Sequence, residues 1–267
     1  MVLRFRKPMC NGGDNMTITE VFPNPTVKQV IFQIRYPNLF FIEDKIGDFQ
    51  VQILQEFPKS ALAFRRQIML ADLGPDAKLP DIQGSDNLST KVWQFISDKG
   101  FRLNVLTDSL DITSEFHKTY NLDGGEKFRD TIRFVLDAFL KIVPLPVINR
   151  LGLRYIDECP IPKKTNRVFR THYNSVFPLK RFDLADASEM SFRTTVRRGD
   201  YNIRYAESLA KIADDNYKLI LDFDGFANSI VPAAYLDVTD ALHDIIRKEY
   251  ENTIKAPIYT FMRKPKS

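Results

Sequence analysis

The 267-residue chain is 44% hydrophobic, enough to bury a substantial core without staples, and fits one large domain or two closely joined halves. Its net charge of +4 sits in the termini, where Arg4, Arg6, Lys7, Arg263, Lys264 and Lys266 are opposed only by Asp14; the body is close to neutral, and bulk charge gives no support for nucleic-acid binding. Two distant cysteines, Cys10 and Cys159, argue against a disulfide framework, and no run approaches the roughly 18 apolar residues that span a bilayer, so a cytoplasmic protein without membrane contact is expected.

Residues 1–15 contain the turn-prone Asn11-Gly12-Gly13-Asp14 and precede a second methionine, Met16; they are expected to form a flexible extension. Pro23-Asn24-Pro25 favours an extended start to the folded part. Residues 27–36 alternate Val30, Phe32 and Ile34 against Gln29, Gln33 and Arg35, the period of a half-buried strand. Over 43–57, Ile46, Phe49, Ile53 and Phe57 recur at helical spacing behind Glu43 and Asp44, whose charges suit a helix N-terminus. A further strand is expected at 62–69 and a surface loop at 72–88, rich in Gly, Pro, Asp and Asn.

Short alternating runs at 91–97, 101–107 and 110–114, joined by tight turns, predict a meander. Asp123 and Glu126 have the spacing of a capping box, and Phe128, Ile132, Val135, Leu136, Phe139 and Val143 mark one face of the helix that follows. The stretch 147–157 is the organising strand: Leu151, Leu153 and Tyr155 fall on one face, and Arg150, Gly152 and Arg154 on the other. An irregular basic segment over 160–181 leads to a second meander at 188–198, 201–208 and 217–224. A last helix covers about 235–251, with Val238, Leu242, Ile245, Ile246 and Tyr250 inward.

Each half, 16–146 and 147–267, thus reads as strand, insert, meander, helix. The expectation is a pseudo-duplicated α+β fold, each half an antiparallel meander with flanking helices, packed as one globular unit.

The words NPTVKQVIFQIRYP, WQFISDKGFRLNVLTDSL, RLGLRYID and YKLILDFD together resemble a sporadically distributed, functionally uncharacterised bacterial protein family of about this length, over roughly residues 23–262. Its members begin just before the first of these words, which implies that residues 1–15 are additional here. Arg35-Tyr36-Pro37 stands where the family has R-F-P. Pro257 interrupts a region where members stay helical, so an early end to the last helix is expected. The resemblance implies no activity and no site residues.

No phosphate loop, dinucleotide fingerprint or nucleophile elbow is present. His117, His172 and His243 lack metal-ligand spacing, and no cofactor is implied. One constellation of charge remains. Arg35, Arg154, Arg193 and Arg204 lie on strands, and Asp222 and Asp224 are two apart, hence on one face. Such arginines are candidates to grip a phosphorylated ligand, and the aspartates to hold a metal ion; the structural alternative is cross-strand ion pairing on a solvated face, about 0.2–1 kcal/mol per pair. Lys163, Lys164, Arg167 and Arg170, interleaved with Phe169, Tyr173 and Phe177, are the candidate nucleic-acid contacts.

With a well-patterned core and no motif for catalysis, the function expected is a non-enzymatic interaction or regulatory module with a protein partner. The alternatives are a phosphorylated-ligand-binding or metal-dependent phosphoester enzyme, and a nucleic-acid partner acting through the basic insert at 163–181.

Overall fold

The organising strand lies near the centre of one nine-stranded antiparallel sheet in a computed structural model of the chain, which describes residues 17–66, 89–213 and 216–265. In chain order the strands are β1 (Val27–Arg35), β2 (Lys59–Arg66), β3 (Ser89–Ile96), β4 (Arg102–Val105), β5 (Ser109–Ser114), β6 (Ile148–Pro160), β7 (Met190–Arg198), β8 (Tyr201–Ala213) and β9 (Asn216–Ile230). The helices are α1 (Ile42–Ile53), α2 (Phe128–Ile142), α3 (Asn166–His172), α4 (Tyr235–Thr253) and α5 (Ala256–Arg263). The fold is α+β. The expected extension at 1–15 and the expected loop at 72–88 lie outside the described residues.

The strand order is β2-β3-β4-β5-β1-β6-β9-β8-β7. Each leading strand, β1 or β6, pairs with the last strand of the meander that follows it, and the two leading strands pair with each other. The meanders therefore extend outward from one central seam rather than forming two facing sheets.

Alternation fixes the two faces. Phe32, Ile34, Leu110, Ile112, Leu151, Leu153 and Phe223 are all buried on one face, and the helices cover it. Phe49 of α1 meets Phe95 edge-on at 5.9 Å and Phe139 of α2 at 5.4 Å, aromatic contacts worth about 0.5–1.5 kcal/mol each beyond their area. In the second half α4 lies close against β9: a Cβ at Gly225 would sit 3.2 Å from Ile246 Cδ1. The absence of a side chain there sets the approach of helix to sheet. Among the described residues no helix is long and apolar enough to cross a membrane.

Several elements differ from expectation. β2 begins at Lys59, three residues before the expected strand. The capping box does not form: α2 starts at Phe128 with Lys127 as an uncapped N-cap, and Asp123 instead pairs with Lys127 at 2.7 Å. The basic insert contains α3, capped by Thr165, whose hydroxyl accepts from Val168 N. Pro257 opens a new helix, α5, after α4 has ended at Thr253; proline suits the first turn because its missing N–H has no partner there anyway.

Candidate functional site

The strand charges meet on the face opposite the helices. Arg154 donates through Nε and Nη2 to the two carboxylate oxygens of Asp222 at 2.7 and 2.6 Å. Arg150 donates to both oxygens of Asp224 at 2.9 and 2.8 Å, and Arg204 approaches Asp224 at 3.5 Å. The register explains these diagonals. Arg154 stands opposite Asp224, Ile156 opposite Asp222 and Arg150 opposite Asn228, so each guanidinium reaches along the strands to its carboxylate, that of Arg150 past the Gly152–Phe226 pair.

Gly152 has a direct role in this arrangement. A Cβ there would lie 2.5 Å from Arg150 Nη1, because the guanidinium crosses the bare glycine and rests 4.8 Å from the Phe226 ring. Asp222 and Asp224 therefore accept from arginines, and among the described residues no three His, Cys, Asp or Glu side chains gather as metal ligands. Among the described residues Arg35 donates to Gln33, at 3.2 Å, and Arg193 lies out on β7, two strands from β9 and exposed. The four candidate arginines thus share a face but do not converge on one point.

The basic insert is also dispersed. Phe169, Tyr173 and Phe177 are buried, Lys163 and Arg167 are exposed, and Lys164 lies 4.0 Å over the Tyr217 ring. Arg170 alone of the four named cations joins a groove, with Lys180, Arg181 and Lys255.

The most developed site lies on the helix side, where the sequence marks no functional residue. A cavity of about 290 Å³ opens between the extended segment before β1, the loop after β5, β6 and α4. Asp157 lines it and is only 6% exposed, since it continues the buried alternation of Leu151, Leu153 and Tyr155. The Thr26 hydroxyl donates to Asp157 Oδ1 at 2.8 Å. The Tyr250 hydroxyl lies 2.6 Å from that of Thr26 and donates to Met262 Sδ at 3.5 Å. Thr26 thus stands between the Tyr250 hydroxyl of α4 and the carboxyl group.

Asp157 Oδ2 is different. It accepts no hydrogen bond among the described residues, yet no buried side-chain oxygen there is left without a partner. Oδ2 therefore keeps some exposure, on a residue that lines the cavity. Burial pushes the Asp157 carboxyl up to about 7, against the opposing hydrogen bond from Thr26. Burial likewise raises the thiol of neighbouring Cys159, with the Asp157 charge adding to it, and raises the Tyr250 phenol.

The second wall is aromatic. The Tyr120 ring stacks on His243 with centroids 4.2 Å apart, and His243 Nδ1 lies 3.3 Å from the Tyr155 hydroxyl. Burial lowers His243 to about 4, so it is neutral at physiological pH. Asp240 fixes this wall by accepting from Tyr120 at 2.6 Å and from both Nε and Nη2 of Arg129 at 2.8 Å. At the rim the charges are paired: Arg247 with Asp244 and Glu251, and Glu20 with Arg263. No family model, no curated protein and no solved structure matches the chain.

Proposed function

We propose that this chain is a non-enzymatic binding module that takes a small molecule in the Asp157 cavity. The observation that carries the reading is Asp157 Oδ2, a polar atom that accepts no hydrogen bond among the described residues, on a 6% exposed residue that lines the cavity. A cavity with an apolar lining and a few convergent polar groups is the usual form of a ligand site, and a carboxyl group displaced to about 7 within it adds to that. Binding is favoured over catalysis because the groups around the carboxyl hold their protons: burial raises both the Tyr250 phenol and the Cys159 thiol.

The test is a thermal-shift screen of a polar metabolite library against the full chain and its Leu122→Trp variant, which carries a bulky ring at the cavity wall. A ligand at a hundred times its Kd stabilises by about 2.7 kcal/mol, raising the melting temperature by roughly 5–10 °C for a chain of this size. Such a shift in the unaltered chain, lost in Leu122→Trp, is expected. No shift with any compound, or equal shifts in both proteins, contradicts the reading.

A second reading rests on the groove of Arg170, Lys180, Arg181 and Lys255. All four are exposed, and none has a carboxylate within ion-pair distance among the described residues. Unbalanced cations beside a groove suit a polyanion. Retention of single-stranded RNA that falls steeply with added salt, and at least about ten-fold in an Arg170→Ala/Arg181→Ala variant, is the expected result; retention that ignores both changes rules it out.

A further inference from the structure

We infer that the ligand of the Asp157 cavity is a small organic cation, a primary amine on an apolar body, whose ammonium group donates to Asp157 Oδ2. The inference rests on the reading of the cavity as a binding site and adds its chemical class.

Asp157 is the buried carboxyl group of the lining, whereas the carboxylates of Asp244 and Glu20 are each paired with an arginine. The Thr26 hydroxyl is committed to Asp157 Oδ1 and that of Tyr250 to Met262 Sδ. His243, the one nitrogen base within the wall, is neutral and faces the Tyr155 hydroxyl. The cations of the lining are Lys118 and Arg247. Arg247 is held by Asp244 and Glu251 along α4, and the Lys118 ammonium donates to the Glu115 carbonyl at 2.6 Å. An anionic ligand group would meet the Asp157 carboxyl group, which forms no ion pair among the described residues. An ammonium group finds there the charge it lacks and, in the faces of Tyr120 and Tyr155, aromatic surfaces that attract cations. Phe22, Val27, Ile246 and Met262 supply the apolar lining for the rest of the molecule.

The ionisation of the site follows from the same geometry. The titratable groups facing Asp157 are Glu20 before β1, Lys118 and Tyr120 from the loop after β5, Tyr155 and Cys159 on β6, and His243, Asp244, Arg247 and Tyr250 on α4. Burial holds the Asp157 carboxyl up to about 7. An alkylammonium ion keeps its proton to about pH 10. Binding therefore draws on the ionised carboxylate, releases a proton where Asp157 is protonated, and strengthens as pH rises through 7.

Calorimetric titration of the full chain with phenethylamine, 2-phenylethanol and 3-phenylpropionate isolates the charge of the ligand, since the three are close in shape. At pH 8 phenethylamine is expected to bind at least ten-fold more tightly than the alcohol, and the carboxylate not to bind. Lowering the pH to 6 weakens the amine about ten-fold, because the ionised fraction of Asp157 falls by that factor across a midpoint of about 7. Asp157→Asn, which keeps an oxygen for Thr26, brings the amine to the level of the alcohol. Leu122→Trp removes all binding. Equal affinity for amine and alcohol, or an amine affinity unchanged by Asp157→Asn, overturns the assignment. Binding of the alcohol or the carboxylate that Leu122→Trp abolishes leaves the cavity as a ligand site and rejects only the cation; no binding by any of the three rejects both.

Discussion

Replacing Asp157 with asparagine is expected to stabilise the folded chain by roughly 4 kcal/mol at pH 8 and to leave its stability nearly unchanged at pH 3. In the unfolded chain this carboxyl titrates in the ordinary range, whereas in the fold burial holds it up to about 7. Below the unfolded value both states carry the proton and the group is neutral in its effect. Between the two values the unfolded state sheds its proton while the folded state keeps it, so stability falls with rising pH, and above about 7 the loss is complete. One pKa unit is worth about 1.4 kcal/mol, and the displacement is about three units. Asparagine does not ionise, and its side-chain oxygen still accepts from Thr26. Urea unfolding of both proteins between pH 3 and pH 8 measures the difference directly; a gap that stays constant with pH, or a variant less stable at pH 8, counts against the buried carboxyl.

Asp224→Ala is expected to produce the largest loss, about 3–5 kcal/mol. Asp224 is 7% exposed and takes both hydrogen bonds that Arg150 Nη2 donates to a carboxylate. Without it the guanidinium remains over Gly152, beside Phe226, as a partly buried and unpaired charge. The neighbouring Asp222→Ala removes an equally well-formed pair, but the Arg154 side chain is 41% exposed and that of Asp222 24%, so water replaces the partner and the cost is about 1 kcal/mol or less. Denaturant midpoints of the two variants separate the cases. Equal losses would mean that burial does not distinguish these ion pairs.

The alternation of 147–157 gives the central strand, and with it the burial of Leu151 and Leu153, the partial burial of Tyr155 and the common face of Arg150 and Arg154. The periodicity of each half also gives the order of strands and helices, because period and turn chemistry are local properties. What joins the halves is not local. β1 pairs with β6 across more than a hundred residues of chain, and nothing within either strand names its partner.

The same limit governs the site. Asp157 is legible one step further along the buried alternation, as a carboxylate in line with leucines, but its partners Thr26 and Tyr250 come from the two ends of the folded chain. The arginines are legible as sharing a face; their diagonal engagement with Asp222 and Asp224 depends on the β6–β9 register. Helix α3 is too short for a period to emerge, and only Thr165 at its cap marks where it starts.

The most direct test of the account follows the Asp157 carboxyl carbon by NMR in the full chain, with and without saturating phenethylamine. A midpoint near 7 is expected in the free protein, displaced downward by at least about one unit when the amine is bound, as linkage between ion pairing and proton loss requires. A midpoint in the ordinary carboxylate range, or one near 7 that the amine leaves unmoved, would contradict it.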